Sequence, residues 1–274
     1  MSEHTPIAAA ASKGSAEPAI TVVVLTYDEE PNLTRVLEHL RWAHRVVVVD
    51  SFSRDRTLDI ARGFPNVELF QRPFDNHTSQ WNYGLDQVDT EWVLTLDADY
   101  VVPAETALEM QRLVRAEDAD GYEADLIFCV RGKPLRHAIL PPRLVLFRRS
   151  LGRYFQDGHT QKLALEGRTK SLEHGILHDD RKALKRWLWA QDRYADLELE
   201  KLTNTPTAAL PWRDRIRKSV VIAPWLVPAY YLFAKGGVFD GWAGLDYAAQ
   251  RAIAELVLSI KLIEARDSKA RGAR

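Results

Sequence analysis

Apolar residues in this chain come first in short unbroken runs and later at helical spacing. ITVVVLT, Ile20 to Thr26, is a continuous β-branched run, the pattern of a strand covered on both faces in a parallel sheet. A helix is predicted from about Glu30 to Leu40. HRVVVVDS repeats the run and ends in Asp50, with Ser53 placed to cap a helix carrying Leu58, Ile60 and Ala61. VELFQR gives a third strand, His77 to Gln87 a helix, and WVLTLD a fourth strand. Pro103 then opens a helix with apolar positions at Ala107, Leu108, Met110, Leu113 and Val114. This alternation predicts an α/β fold with an open, doubly wound sheet. Ligands of such sheets sit beyond the carboxyl ends of the strands, where Tyr27, Asp50 and Asp97 fall.

After about Gly121 the rhythm changes. YEADLIFCV and PRLVLFRRS read as further strands, antiparallel in part, separated by the basic loop RGKPLRHAILPP. A long helical segment follows from about Arg181 to Leu202. Between Lys218 and Lys235 lies the uncharged stretch SVVIAPWLVPAYYLFA, shorter than the roughly 20 residues a spanning helix needs and broken by Pro224 and Pro228. Trp225, Tyr230, Tyr231 and Phe233, the basic flank of Arg213, Arg215, Arg217 and Lys218, and the amphipathic segment Trp242 to Ile263 suit an interfacial anchor. A helical hairpin packed on the core is the alternative. The chain thus divides into a disordered tail over 1–19, a catalytic domain over 20–180, and a helical, membrane-surface extension over 181–274.

Composition narrows the partners. With 37 basic and 38 acidic residues among 274 the formal net charge is -1, which gives nucleic acid no bulk attraction. The single cysteine, Cys129, has no partner for an internal disulfide or a cysteine-based zinc site. A reducing, cytoplasmic compartment fits. The small, polar opening residues lack the basic and long apolar regions of a signal peptide.

The chemistry concentrates in VLTLDADYVVP. Residues two apart on a strand share a face, so Asp97 and Asp99 are expected to converge. A hard cation, Mg²⁺ or Mn²⁺, relieves the repulsion of such a pair and completes its shell with water and substrate phosphates. Read alone, D-x-D is equally a turn or capping device. Asp50 at a neighbouring strand end and TYDEE after the first strand turn it into a site.

The blocks VVVLTYDEEPNL, VVVVDSFSRDRTLDIA and WVLTLDADYVVP resemble T-Y-N-E-E, D-S-G-S-T-D-G-T and L-D-A-D-E of family 2 glycosyltransferases, over about Ile20 to Met110. The branch most similar includes lipopolysaccharide core β-glycosyltransferases. The resemblance implies a Rossmann-like nucleotide-diphospho-sugar transferase of the A-type fold, with a mostly parallel central sheet and a C-terminal helical extension. It further implies that Thr26, Tyr27 and Glu29 surround the donor's base and ribose and that Asp50 accepts a hydrogen bond from the base. Asp97 would contact ribose or sugar, Asp99 the metal, and Gln80 and Asn82 the base and sugar. The sequence departs from the pattern at Asp28 for Asn, Phe52 for Gly, Arg54 for Thr, Arg56 for Gly and Tyr100 for Glu.

More loosely, RHAILPPRLVLFRRSLGRYFQDGHTQKL and ILHDDRKALKRWLWAQDRYADLE are similar to later segments of that branch, matching its histidines with His159 and His178. The implied reaction is inverting transfer of a hexose, glucose by default, from a nucleotide-sugar, UDP-hexose first, to a glycan or glycolipid acceptor. It belongs to lipopolysaccharide or cell-surface polysaccharide assembly at the cytoplasmic face of the inner membrane. A base must take the acceptor's proton. Thr160 stands where relatives carry an acid, leaving Asp157 as the preferred base and His159 as the alternative. His178 is expected at the metal and Arg181 at the metal or diphosphate, with Arg136 and Arg143 as further anion contacts. The rivals are a sugar nucleotidyltransferase, which would want a glycine-rich loop where TYDEEP has none, and a noncatalytic glycan-binding or scaffolding protein of the same ancestry.

Overall fold

The computed structural model describes residues 19–136, 141–157 and 160–272. The elements run β1 (Ile20–Thr26), α1 (Glu30–Glu38), β2 (Arg45–Asp50), α2 (Thr57–Arg62), β3 (Val67–Gln71), α3 (His77–Asp86), β4 (Trp92–Asp97), β5 (Tyr100–Val101) and α4 (Ala104–Ala116). There follow β6 (Gly121–Ala124), β7 (Leu126–Val130), β8 (Lys133–Pro134), β9 (Arg143–Arg148), β10 (Gly152–Asp157), β11 (Thr160–Leu165), β12 (Thr169–Ser171) and β13 (Ile176–His178). The chain ends in α5 (Leu184–Asn204), α6 (Trp212–Lys218), α7 (Ala223–Ala229) and α8 (Trp242–Gly272).

The main sheet has the order β12-β6-β9-β4-β1-β2-β3, with β4, β1, β2 and β3 parallel and β9 antiparallel to both of its neighbours. The β-branched runs form its centre because both faces are covered. Val22, Val24, Val46 and Val48 face one core with Leu33, Val36 and Met110, whereas Val23, Val47, Val49 and Val93 face another with Trp81, Leu85 and Phe147. Gly84 lets α3 approach closely, since a Cβ there would lie 2.5 Å from Val23 Cγ1.

Several expectations need correction. Helix α2 begins at Thr57, not at Ser53, because the Ser53 side chain and amide turn back onto Asp50. Leu108 points outward from α4. YEADLIFCV is two strands in two sheets: the exposed Asp125 marks the crossing, after which β7 joins a second sheet of order β5-β13-β7-β8. That second sheet pairs His178 with Tyr100 on one side and Phe128 on the other.

The C-terminal helices pack on this body through one face only. Tyr231, expected in the anchor, is fully buried against Tyr247, whose ring also meets Phe128. The opposite faces stay open, with Trp225, Phe233, Phe239 and Trp242 among the most exposed apolar residues and Trp242 85% exposed. No helix among the described residues is long and apolar enough to cross a membrane.

Candidate functional site

Two loops leave the carboxyl ends of β1 and β2 side by side, and Asp50 locks them together. Its buried carboxylate accepts from Thr26 Oγ1 at 2.9 Å, from the Ser53 amide at 2.9 Å, from Gln71 Nε2 at 3.3 Å and from the Ser53 hydroxyl. Four acceptances fill a carboxylate's usual capacity, so Asp50 organises the loops from within. The loops are laced further by Asp28 N to Ser53 Oγ (2.9 Å), Arg54 N to Asp28 Oδ1 (2.8 Å) and Glu29 N to Thr57 Oγ1 (2.8 Å). Asp28 and Phe52 both have positive φ, 53° and 60°. These are positions where the family pattern carries Asn and Gly, the residues best suited to that backbone region. Gln80, buried on α3, donates to Ser51 Oγ at 2.8 Å and accepts from Arg72.

The two acids of DAD do not share a strand face. β4 ends at Asp97, and Asp99 lies in the turn before β5. Asp97, half exposed, accepts from Arg143 at 2.9 Å; the same guanidinium donates to the Tyr100 hydroxyl at 2.8 Å. Tyr100, whose hydroxyl burial pushes far up, therefore holds the arginine that holds Asp97. Asp99 is mostly buried. Its Oδ2 lies 3.3 Å from His178 Nε2, while its Oδ1 and His178 Nδ1 are both buried without a hydrogen-bond partner. His178 sits between the Tyr100 and Phe128 rings; burial pulls its pKa down and Asp99 outweighs that, leaving it raised. An orphaned carboxylate oxygen beside an imidazole nitrogen fits a divalent cation, so Asp99 and His178 suit the metal role on donor chemistry.

Beside this pair runs a network that sequence reading missed. Buried Asn32 on α1 donates to Glu29 Oε2 and Asp180 Oδ1, both at 2.9 Å, and accepts from the Arg181 amide at 2.9 Å. Lys182 Nζ reaches Glu29 Oε1 at 2.7 Å. Burial pushes the Glu29 carboxyl up to about 7, with Lys182 opposing and Asp99 adding to the rise. Glu29 thus braces HDDRK against α1. Arg181 is likewise committed, at 2.8 Å to buried Asp179, which also holds Arg35. The signal for this network was the Asn of EEPN and the second Asp of HDD, neither of which is distinctive alone.

Asn82 has a structural task as well. Its amide donates to the Tyr154 carbonyl at 2.9 Å and accepts from the Tyr154 amide at 3.0 Å, clamping β10 to α3. The β10–β11 hairpin pairs Asp157 with Thr160, and Gln156 accepts from Thr78 beside the start of α3. The Asp157 side chain and all of His159 lie outside the described residues. Arg136 points to Asp240.

Helix α5 supplies groups that no motif indicated. The Arg186 guanidinium lies 5.1 Å from the Tyr27 ring centroid and 4.2 Å from that of Trp189, with Arg193 4.9 Å from Trp189 on the same helix. Among the described residues neither arginine is paired with a carboxylate. A separate cluster, Glu109, Glu173 and His174, precedes the opposite end of β13. Glu109 there accepts both loop amides and the His174 ring, a saturated brace.

Comparison with known proteins accords with this geometry. The sequence model of Glycosyl transferase family 2 matches residues 21–162, just over half of the chain. A glycosyltransferase of Rickettsia typhi is 25% identical over 117 residues, 41% of this chain and 40% of its own length. The undecaprenyl-phosphate 4-deoxy-4-formamido-L-arabinose transferase of Proteus mirabilis is 29% identical over 118 residues, 38% of this chain and 35% of its own. The chain thus spans about two fifths of the length of these curated relatives. Among solved structures, S. aureus TarS 1-349 in complex with UDP-GlcNAc superposes with a TM-score of 0.49 at 17% identity, over 88% of this chain and 81% of that one.

Proposed function

Because the chain belongs to glycosyltransferase family 2, we propose that it is an inverting, metal-dependent transferase moving a hexose, glucose by default, from a UDP-sugar to a glycan or glycolipid acceptor. The observation that carries this reading is the buried, unpartnered Oδ1 of Asp99 beside His178, at the sheet edge where the β1 and β2 loops converge. Asp99 and His178 are the residues that would hold Mg²⁺ or Mn²⁺. Such a cation neutralises charge on a departing diphosphate.

The protein's own groups do the rest. Asp97, steadied by Arg143, receives donor ribose or sugar hydroxyls. Asp50, Thr26, Gln80, Glu29 and Asn82 hold the loops and the hairpin in place, while Tyr27 offers an exposed ring to the donor. Arg181, expected at the diphosphate, is bound to Asp179; Arg186 and Arg193, which meet no carboxylate among the described residues, take that role. The acceptor hydroxyl attacks the anomeric carbon as the bond to the diphosphate breaks, and Asp157 or His159 on the β10–β11 hairpin accepts its proton.

A peripheral position at the cytoplasmic face of the inner membrane, serving lipopolysaccharide or surface polysaccharide assembly, follows from the open face of the C-terminal helices. On α8 the exposed positions Trp242, Leu245, Leu256, Ile260 and Ile263 form one helical stripe, continued by Trp225 and Phe233. The test is nucleoside diphosphate release across a donor panel with a membrane glycolipid extract, with mass spectrometry of the product. A noncatalytic glycan binder would release none, and a nucleotidyltransferase would release pyrophosphate.

A further inference from the structure

Resting on that donor reading, we infer that Phe52 is a stacking platform for the nucleobase. Phe52 follows Asp50 and Ser51 at the end of β2 and adopts φ 60°, a region that a side chain with a Cβ occupies only under strain. The ring belongs to no core cluster and is 50% exposed. A strained residue whose side chain is displayed to solvent contributes nothing to folding that glycine would not contribute better.

The strain is held by a network that fixes the ring's position. Ser53 bonds Asp50 through both its amide and its hydroxyl, Asp28 N donates to Ser53 Oγ, and Arg54 N donates to Asp28 Oδ1. Thr26 pairs with Asp50 in the sheet, and Ser51 N donates to the Thr26 carbonyl at 2.9 Å. Tyr27 follows β1 by one residue and Phe52 follows β2 by two, on loops joined through Ser53 and Asp28, and both carry exposed rings. A planar heterocycle is the ligand that two exposed aromatic faces beside a diphosphate-binding edge suit.

The experiment is calorimetric titration of the full chain with UDP and, separately, with pyrophosphate, each with Mn²⁺, for the unchanged protein and for Phe52→Gly, Phe52→Ala and Phe52→Tyr. We expect Phe52→Gly to melt about 2–4 °C higher while binding UDP about tenfold more weakly. Phe52→Ala, which keeps the strain and removes the ring, loses the same affinity without the gain in melting temperature. Phe52→Tyr restores UDP binding, and pyrophosphate binds all four alike. UDP affinity within twofold of the unchanged protein in both Gly and Ala variants overturns the platform, as does parallel loss of UDP and pyrophosphate. If the unchanged protein binds pyrophosphate but none of UDP, GDP or ADP, the platform falls while the diphosphate edge stands. If it binds nothing, the donor reading itself falls.

Discussion

Residues 1–180 hold 20 basic and 28 acidic side chains, residues 181–274 hold 17 and 10, so the chain's net charge of -1 conceals halves of -8 and +7. The first region gathers four of its acids at one edge: Asp50, Glu29, Asp99 and Asp179 are all largely buried around the strand ends. The second directs aromatic residues outward, with Trp242 and Phe233 more than three-quarters exposed and Lys235 exposed nearby. One region uses burial to fix charges in place; the other leaves apolar area uncovered beside a positive excess. That division matches two partners, a metal–diphosphate unit for the acidic edge and an anionic bilayer for the basic, apolar face.

The sharpest way to break the acidic half of this comparison is Asp99→Asn. It removes one charge at the position with the unpartnered oxygen, and about 10³-fold or more should be lost from donor turnover if that oxygen takes part in stabilising the leaving group. Turnover should be read alongside Mn²⁺ titration of UDP binding, and circular dichroism should be unchanged. Retention of metal-dependent UDP binding would move the metal elsewhere.

Asn32→Ala attacks the same edge through its scaffold. The change strips partners from Glu29 and Asp180 and from the Arg181 amide in one step, leaving buried polar groups unpaired. A loss of about 2–3 kcal/mol in urea unfolding is expected. A loss below about 0.5 kcal/mol would mean that the β1 loop and HDDRK are held together by other contacts.

The legibility of the sequence divides along the same line. The βα order from Ile20 to Met110 was readable because doubly covered strands write themselves as unbroken β-branched runs. Asp50, Asp97 and Asp99 stood out because acids ending such runs are rare. The pairing of Asp97 and Asp99 on one face was misread, since nothing in WVLTLDADY marks where the ladder stops. Long-range partnerships were equally hidden: Asn82 meeting Tyr154, Arg181 turning to Asp179, and Arg186 reaching Tyr27 depend on tertiary placement. The buried face of the aromatic stretch was hidden too, because Tyr230 and Tyr231 are indistinguishable until a neighbour covers one of them.

The basic half is tested with vesicles. Trp225→Ser together with Trp242→Ser should weaken cosedimentation with anionic liposomes about tenfold, with donor hydrolysis in detergent unchanged, since neither side chain touches the acidic edge. Equal partitioning would remove the bilayer as the partner of this face. A shift from a larger assembly to monomer in light scattering would assign it to a second copy of the chain.

The acidic edge is also tested through the pH dependence of stability. Glu29 has an ordinary pKa of 4.5 in an unfolded chain and about 7 when folded, chiefly because burial disfavours its charge. Between those values the folded protein keeps a proton that the unfolded chain has released, so the slope of unfolding free energy against pH is negative. The stability this group contributes is fully present below about 4.5 and is lost as pH rises through about 7. Lys182 opposes the shift without cancelling it. Melting curves from pH 5 to pH 8 should therefore show a decline that Glu29→Gln flattens, because Gln carries no proton to release and still accepts from Asn32. If the slope survives the substitution unchanged, Glu29 is ionised throughout and its pairing with Lys182 outweighs burial.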